Sequence, residues 1–179
     1  IGLALNAFSK WSDNPDCQSM AHSLAGLLAS NGHLRHAMDA QSIANTLNAL
    51  SKWPDAQLCA AAASALALRL ATERGVCNAF KPQEVGNTLN ALSKWPAAPH
   101  CAAAASVLAA RLANDGRLRN GLEAQAAALV LNALSKWPDT PDCQDAANAL
   151  ASRLSDDPKL CNDLNAQGVA KALNALSKW

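Results

Sequence analysis

"LNALSKW" stands at residues 47–53, 89–95, 131–137 and 173–179, with "LNAFSKW" at 5–11. The tryptophans that close these copies, Trp11, Trp53, Trp95, Trp137 and Trp179, are each 42 residues from the next, with no insertion or deletion between any two. A chain of 179 residues would ordinarily suggest one or two globular domains, but a spacing this strict marks a tandem array. The units run 12–53, 54–95, 96–137 and 138–179, and the second half of a truncated unit occupies 1–11. Neither terminal stretch carries a polar capping variant, so the array is expected to continue in both directions.

Within a unit the apolar periodicity is helical. Cys17, Ala21, Leu24, Ala25 and Leu28 are identical at the equivalent positions of all four units, and offsets of 4, 7, 8 and 11 trace one helix face. Neighbouring positions drift freely, as Gly26, Leu68, Ala110 and Ser152 do, which predicts a first helix (helix A) with one face in the core. A polar break follows ("SNGH", "TERG", "NDGR", "SDDP"), then an apolar pair four apart, such as Leu34 and Met38, that fits a short connector helix. A second helix (helix B) is predicted to start near Asp39, Lys81, Glu123 and Asn165 and to run into the tryptophan, where Pro54, Pro96 or Pro138 stops it. Two antiparallel helices of about 13 residues cannot bury their faces alone, so each unit must lean on its neighbours. The expected fold is all-α, a right-handed α-solenoid of HEAT/armadillo-like units with two main helices and a connector each.

"SKWP" at 51–54, 93–96 and 135–138, with "SKWS" at 9–12, resembles the SKWP-repeat family of type III secreted effectors from plant-pathogenic bacteria, and the resemblance covers essentially the whole chain. It implies HEAT/armadillo-like repeats, secretion by a type III system into a host cell, to cytosol or nucleus, and a role in virulence. It supplies no catalytic residue.

The residues themselves carry a second signal. On helix B, Ile43, Leu47 and Leu50 form an apolar stripe with Trp53 beside it, while Gln41, Asn45, Asn48 and Lys52 cluster within about 60° on the opposite side. Three of these four polar positions are identical in every unit: Gln41, Gln83, Gln125 and Gln167; Asn48, Asn90, Asn132 and Asn174; Lys52, Lys94, Lys136 and Lys178, with Asn6 and Lys10 extending two of the ladders. An exposed polar face without a task tolerates substitution to within roughly ±0.5 kcal/mol, so sister units should have diverged there. Each ladder also has a structural reading. The asparagines could tie adjacent repeats together, the glutamines could satisfy free N–H groups or reach the preceding connector, and the lysines suit the negative end of the helix dipole. Ser51 and its copies are expected to bond the carbonyl one turn back, and the tryptophans to plug the gap between units.

Composition removes several functions. The formal net charge is +1, which gives no global pull toward nucleic acid or an anionic surface, and no apolar run approaches the ~18 residues of a membrane span. Cys17, Cys59, Cys101 and Cys143 fall one per unit, and Cys77 and Cys161 lie a helix length away from them, so neither disulfides nor a metal site are expected. His22, His33, His36 and His100 share no register, and no nucleophile, acid–base pair or phosphate loop recurs, so the expectation is a protein without catalysis, cofactor, metal or small-molecule substrate. The sequence therefore reads as a binding scaffold for a host protein or peptide segment on the Gln, Asn and Lys ladders. An RNA-binding helical array and a purely structural spacer are the alternatives.

Overall fold

Asn14, Ala56, Ala98 and Thr140 hold extended backbone immediately before four helices of equal length. In three of these a proline (Pro15, Pro99, Pro141) takes the first helical position, where its missing N–H is harmless. The computed structural model describes residues 1–179 and contains thirteen α-helices and no strand. A truncated helix B, α1 (Gly2–Phe8), comes first. The A helices are α2 (Pro15–Ser30), α5 (Gln57–Thr72), α8 (Pro99–Asn114) and α11 (Pro141–Asp156). The connectors are α3 (Gly32–His36), α6 (Arg74–Asn78), α9 (Gly116–Asn120) and α12 (Pro158–Asn162), and the full B helices are α4 (Ala40–Leu50), α7 (Pro82–Leu92), α10 (Ala124–Leu134) and α13 (Ala166–Leu176). Every boundary recurs at the 42-residue interval of the tryptophans.

The predicted starts of helix B hold. Asp39 and Asn165 accept from the backbone N–H groups of Ser42 and Gly168, and Glu84 reaches back to the N–H of Lys81. The far end needs correction. Helix A has 16 residues and helix B 11 rather than two equal helices, and helix B stops at Leu50, Leu92, Leu134 and Leu176, three residues before each tryptophan. The N–H groups of Lys52 and Trp53 then bond carbonyls three residues back, which tightens the chain to 3₁₀ geometry. The serine hydroxyls of Ser9, Ser51, Ser93, Ser135 and Ser177 bond the carbonyls of Asn6, Asn48, Asn90, Asn132 and Asn174, as expected of them.

The helices pack in two rows. The A helices α2, α5, α8 and α11 lie side by side, the B helices α1, α4, α7, α10 and α13 form the second row, and each B helix also packs on the next unit's A helix. This repetitive helical packing is compatible with an α-solenoid. Burial follows from it: Ile43, Leu47, Leu50 and their equivalents on α7 and α10 are fully buried, whereas Val169, Leu173 and Leu176 on α13, and Trp179 just after it, are exposed. The stripe on each B helix is thus covered by the following unit, which is why no unit can be stable alone.

Trp53, Trp95 and Trp137 are 6%, 9% and 7% exposed, and each indole N–H donates to the carbonyl at the start of its own unit, Ser12, Pro54 or Pro96, at 3.1, 2.8 and 3.0 Å. Trp11 and Trp179, at 62% and 40% exposed, do not share this packing, and the Pro138 carbonyl accepts from Gln144 instead. Between units the fastener is an arginine. Arg69, Arg111 and Arg153 on the A helices donate to carbonyls of the preceding unit's connector: Arg35 and Met38, Cys77 and Phe80, Arg119 and Asn120. Within units one and three, Arg35 and Arg119 bond the last carbonyls of helix A, and in unit two the Cys77 thiol donates to the corresponding carbonyl of Leu70.

Junctions also carry individual fits. A Cβ on Gly121 would lie 2.5 Å from Cγ of Pro82, a residue found at that register only in the second unit, where the others have Ala40, Ala124 and Ala166. Gly121→Ala is therefore expected to destabilise the chain by about 1–3 kcal/mol through overpacking. Adding Pro82→Ala should recover most of that loss in urea unfolding; independent, additive effects would show that the pair is not coupled.

Candidate binding face of the B helices

The three polar ladders fall on three separate strips. At a rise of 1.5 Å per residue, Gln41 and Asn48 are about 10 Å apart along the helix axis, and Asn48 and Lys52 about 6 Å. The glutamine strip runs along the first turns of the row, the asparagine strip near the last turns, and the lysine strip just beyond the helix ends.

Gln83, Gln125 and Gln167 line one groove of about 620 Å³ that crosses α7, α10 and α13. Asn87, Asn165 and the side chains of Lys81, Glu84, Glu123 and Lys171 share its walls, and Gly86, Ala126 and Leu129 contribute where the groove crosses the helices. Small residues here let the groove form: nothing larger than a methyl group stands at positions 86 and 126. Gln41 lies outside it. Gln125 donates to the carbonyl of Asp163 at 3.3 Å, so a glutamine reaches the following connector rather than the preceding one. A Cβ on Gly168 would come 2.7 Å from Oε1 of Gln125, so that glycine is what lets the amide lie against the next helix.

The asparagines are less exposed than a face opposite the core would be. Asn48, Asn90 and Asn132 are half-buried, and only Asn174 is open. Because B helices lie side by side, this position sits in the seam between them, and the amides of Asn174 and Asn132 approach to 3.5 Å. The asparagine strip is thus in part a contact between neighbours. Lys10, Lys52, Lys94, Lys136 and Lys178 are all exposed, and none is within 4.0 Å of a carboxylate oxygen: the ion pairs of the molecule are those of Glu73 with Arg69 and His36.

The groove has no tryptophan in its lining, and along the lysine edge the three inner tryptophans are buried, which leaves only the terminal Trp11 and Trp179 exposed. The thiols offer no reactive group there either. Cys59, Cys101 and Cys143 are buried and Cys17 partly so, all six cysteines are unbridged, and burial pushes Cys59, Cys77 and Cys101 up to about 11 and Cys143 to about 12, which keeps them protonated at neutral pH. No group of three His, Cys, Asp or Glu side chains is placed to hold a metal, and no helix is long and apolar enough to cross a membrane.

Sequence reasoning passed over the arginine fasteners, and of the residues that line the groove it named only the glutamines as candidate site residues. Arg69, Arg111 and Arg153 were visible as a repeated letter on helix A, broken by Leu27 in the first unit. Compared with protein-family models, curated proteins and solved structures, the chain matches none.

Proposed function

We propose that this chain is a non-catalytic binding scaffold: a right-handed, HEAT/armadillo-like α-solenoid segment of an SKWP-repeat effector that a type III system delivers into a host cell, where its B-helix face holds a segment of a host protein. The observation that carries this reading is the groove across α7, α10 and α13, in which glutamines identical in every unit stand side by side. A side-chain amide offers an acceptor and two donors, the complement of a peptide backbone, and a row of them at one per unit suits a chain running across the helices. Burial of Trp53, Trp95 and Trp137 weighs against single-stranded RNA, whose binding draws on aromatic stacking platforms.

Two measurements test it. A photo-crosslinking residue at position 125 is expected to capture a host protein from plant extract, while the same residue at position 68, on the drifting outer face of helix A, captures none. Replacing Gln83, Gln125 and Gln167 together by Ala should weaken binding of the captured protein at least tenfold with little change in melting temperature, since all three side chains are exposed. A large loss of stability with undiminished binding, or equal capture from both positions, would overturn the reading.

A further inference from the structure

The lysine row is the one ladder of the B-helix face that intramolecular contacts leave free at every rung. The asparagines sit half-buried in the seam, Gln125 is bonded to the next connector, and the five lysines project from one edge of the row with no carboxylate within ion-pair distance. Because the B helices α1, α4, α7, α10 and α13 are successive neighbours running in the same direction, their lysines stand at the same end of each helix. Neighbouring rungs are then separated by about 8–10 Å, the distance between packed helix axes. A chain in the extended polyproline II conformation advances about 3.1 Å per residue with three residues per turn, so every third residue lies on one face and comes into register with a new rung.

We infer that Lys10, Lys52, Lys94, Lys136 and Lys178 form a docking edge for an extended acidic segment with a carboxylate at every third residue. This rests on the proposal that the partner is a protein segment, and it adds the segment's charge, its period and the strip it follows. Register also sets the strength of individual rungs. Asp13, Asp55 and Asp139 stand three residues after Lys10, Lys52 and Lys136 and partly offset their fields, whereas Ala97 holds that place after Lys94. Lys94 is therefore the strongest inner rung. The lysine and groove strips lie about 16 Å apart along the helix axis, so one extended chain follows one strip or the other.

The test uses fluorescent peptides of about 15 residues, long enough to pass all five rungs. One carries Glu at every third position among Gly and Ser, and the other has the same composition with the Glu residues in one block. The periodic peptide is expected to bind at least tenfold more tightly at low salt and to weaken as salt is raised. A variant with all five lysines changed to Gln should lose this preference while melting within a few degrees of the parent. Since an exposed ion pair is worth about two- to fivefold in affinity, Lys94→Gln alone should cost a few-fold, more than Lys52→Gln or Lys136→Gln. No measurable binding, equal binding of the two peptides, or undiminished binding by the five-fold variant overturns the proposal. So does tighter binding of an oligouridine of similar length. Crosslinking from position 125 reports on the groove independently, so the scaffold reading can stand if the lysine edge fails.

Discussion

Trp95→Ala is expected to destabilise the chain by about 3–5 kcal/mol, the range for emptying a buried large aromatic site. The same substitution at Trp11 is expected to cost less than about 1 kcal/mol, as for a surface residue without a special role. Both residues close an "SKW" motif, so the sequence gives no reason to rank them. Their surroundings do. Trp95 is 9% exposed and donates its indole N–H to the Pro54 carbonyl, 41 residues back in the chain, at 2.8 Å; Trp11 is 62% exposed. Trp95→Phe keeps most of the packing and loses the donor, so it should cost about 1 kcal/mol plus whatever the smaller ring leaves unfilled. Because a stacked array is held by nearest-neighbour interfaces, damage at one junction should broaden the denaturation curve as the two sides begin to unfold separately. Urea titrations of the three variants followed by circular dichroism give the comparison. Similar losses at Trp11 and Trp95 would mean that the motif acts within its own turn rather than between units.

The fold was legible where the determining signal lies in side chains repeated at one period. Leu47, Leu50 and Ile43 told which face of helix B is buried, and Cys59, Leu66 and Leu70 did the same for helix A; all are fully buried. The helix starts at Asp39 and Asn165 were legible because the group that caps each belongs to the residue itself. The end of helix B was misplaced by three residues because the backbone tightens into 3₁₀ bonds while the side-chain sequence continues unchanged through Ser, Lys and Trp. The site was only partly legible for a related reason. Gln83, Gln125 and Gln167 could be singled out from repetition, but the groove they share also depends on positions that change from unit to unit, such as Ala126, where the others have Ser42, Glu84 and Gly168, and Leu129, where they have Asn45, Asn87 and Lys171. Treating the polar face as one surface likewise joined strips that the helix axis sets apart, and it gave Asn48, Asn90 and Asn132 more solvent than the row of B helices leaves them.

Arg111→Ala is the other substitution with a large expected effect, about 2–4 kcal/mol. The guanidinium donates to the Cys77 and Phe80 carbonyls, at 2.5 and 2.9 Å, at the end of a five-residue connector whose last carbonyls have few helical partners of their own. Hydrogen bonds from a charged donor are worth about 1.5–3 kcal/mol each, and the acceptors left behind are partly shielded from water. Arg111→Met retains the packing of the stem and isolates the loss of the donors, and Arg111→Lys, with a point charge in place of the planar fork, should fall between it and the parent. The decisive readout is where the damage appears. Arg111 belongs to the third unit, but its partners belong to the second, so hydrogen exchange should accelerate in residues 74–80 before it does around residue 111. Protection lost only within α8 would show that the residue serves its own helix. This explains why the fastener is hard to read from sequence: a backbone carbonyl is chemically the same under any side chain, so its partner leaves no second letter to find. At the same register Leu27 stands in the first unit, exposed and without such an acceptor, and Leu27→Ala should change stability by less than about 1 kcal/mol.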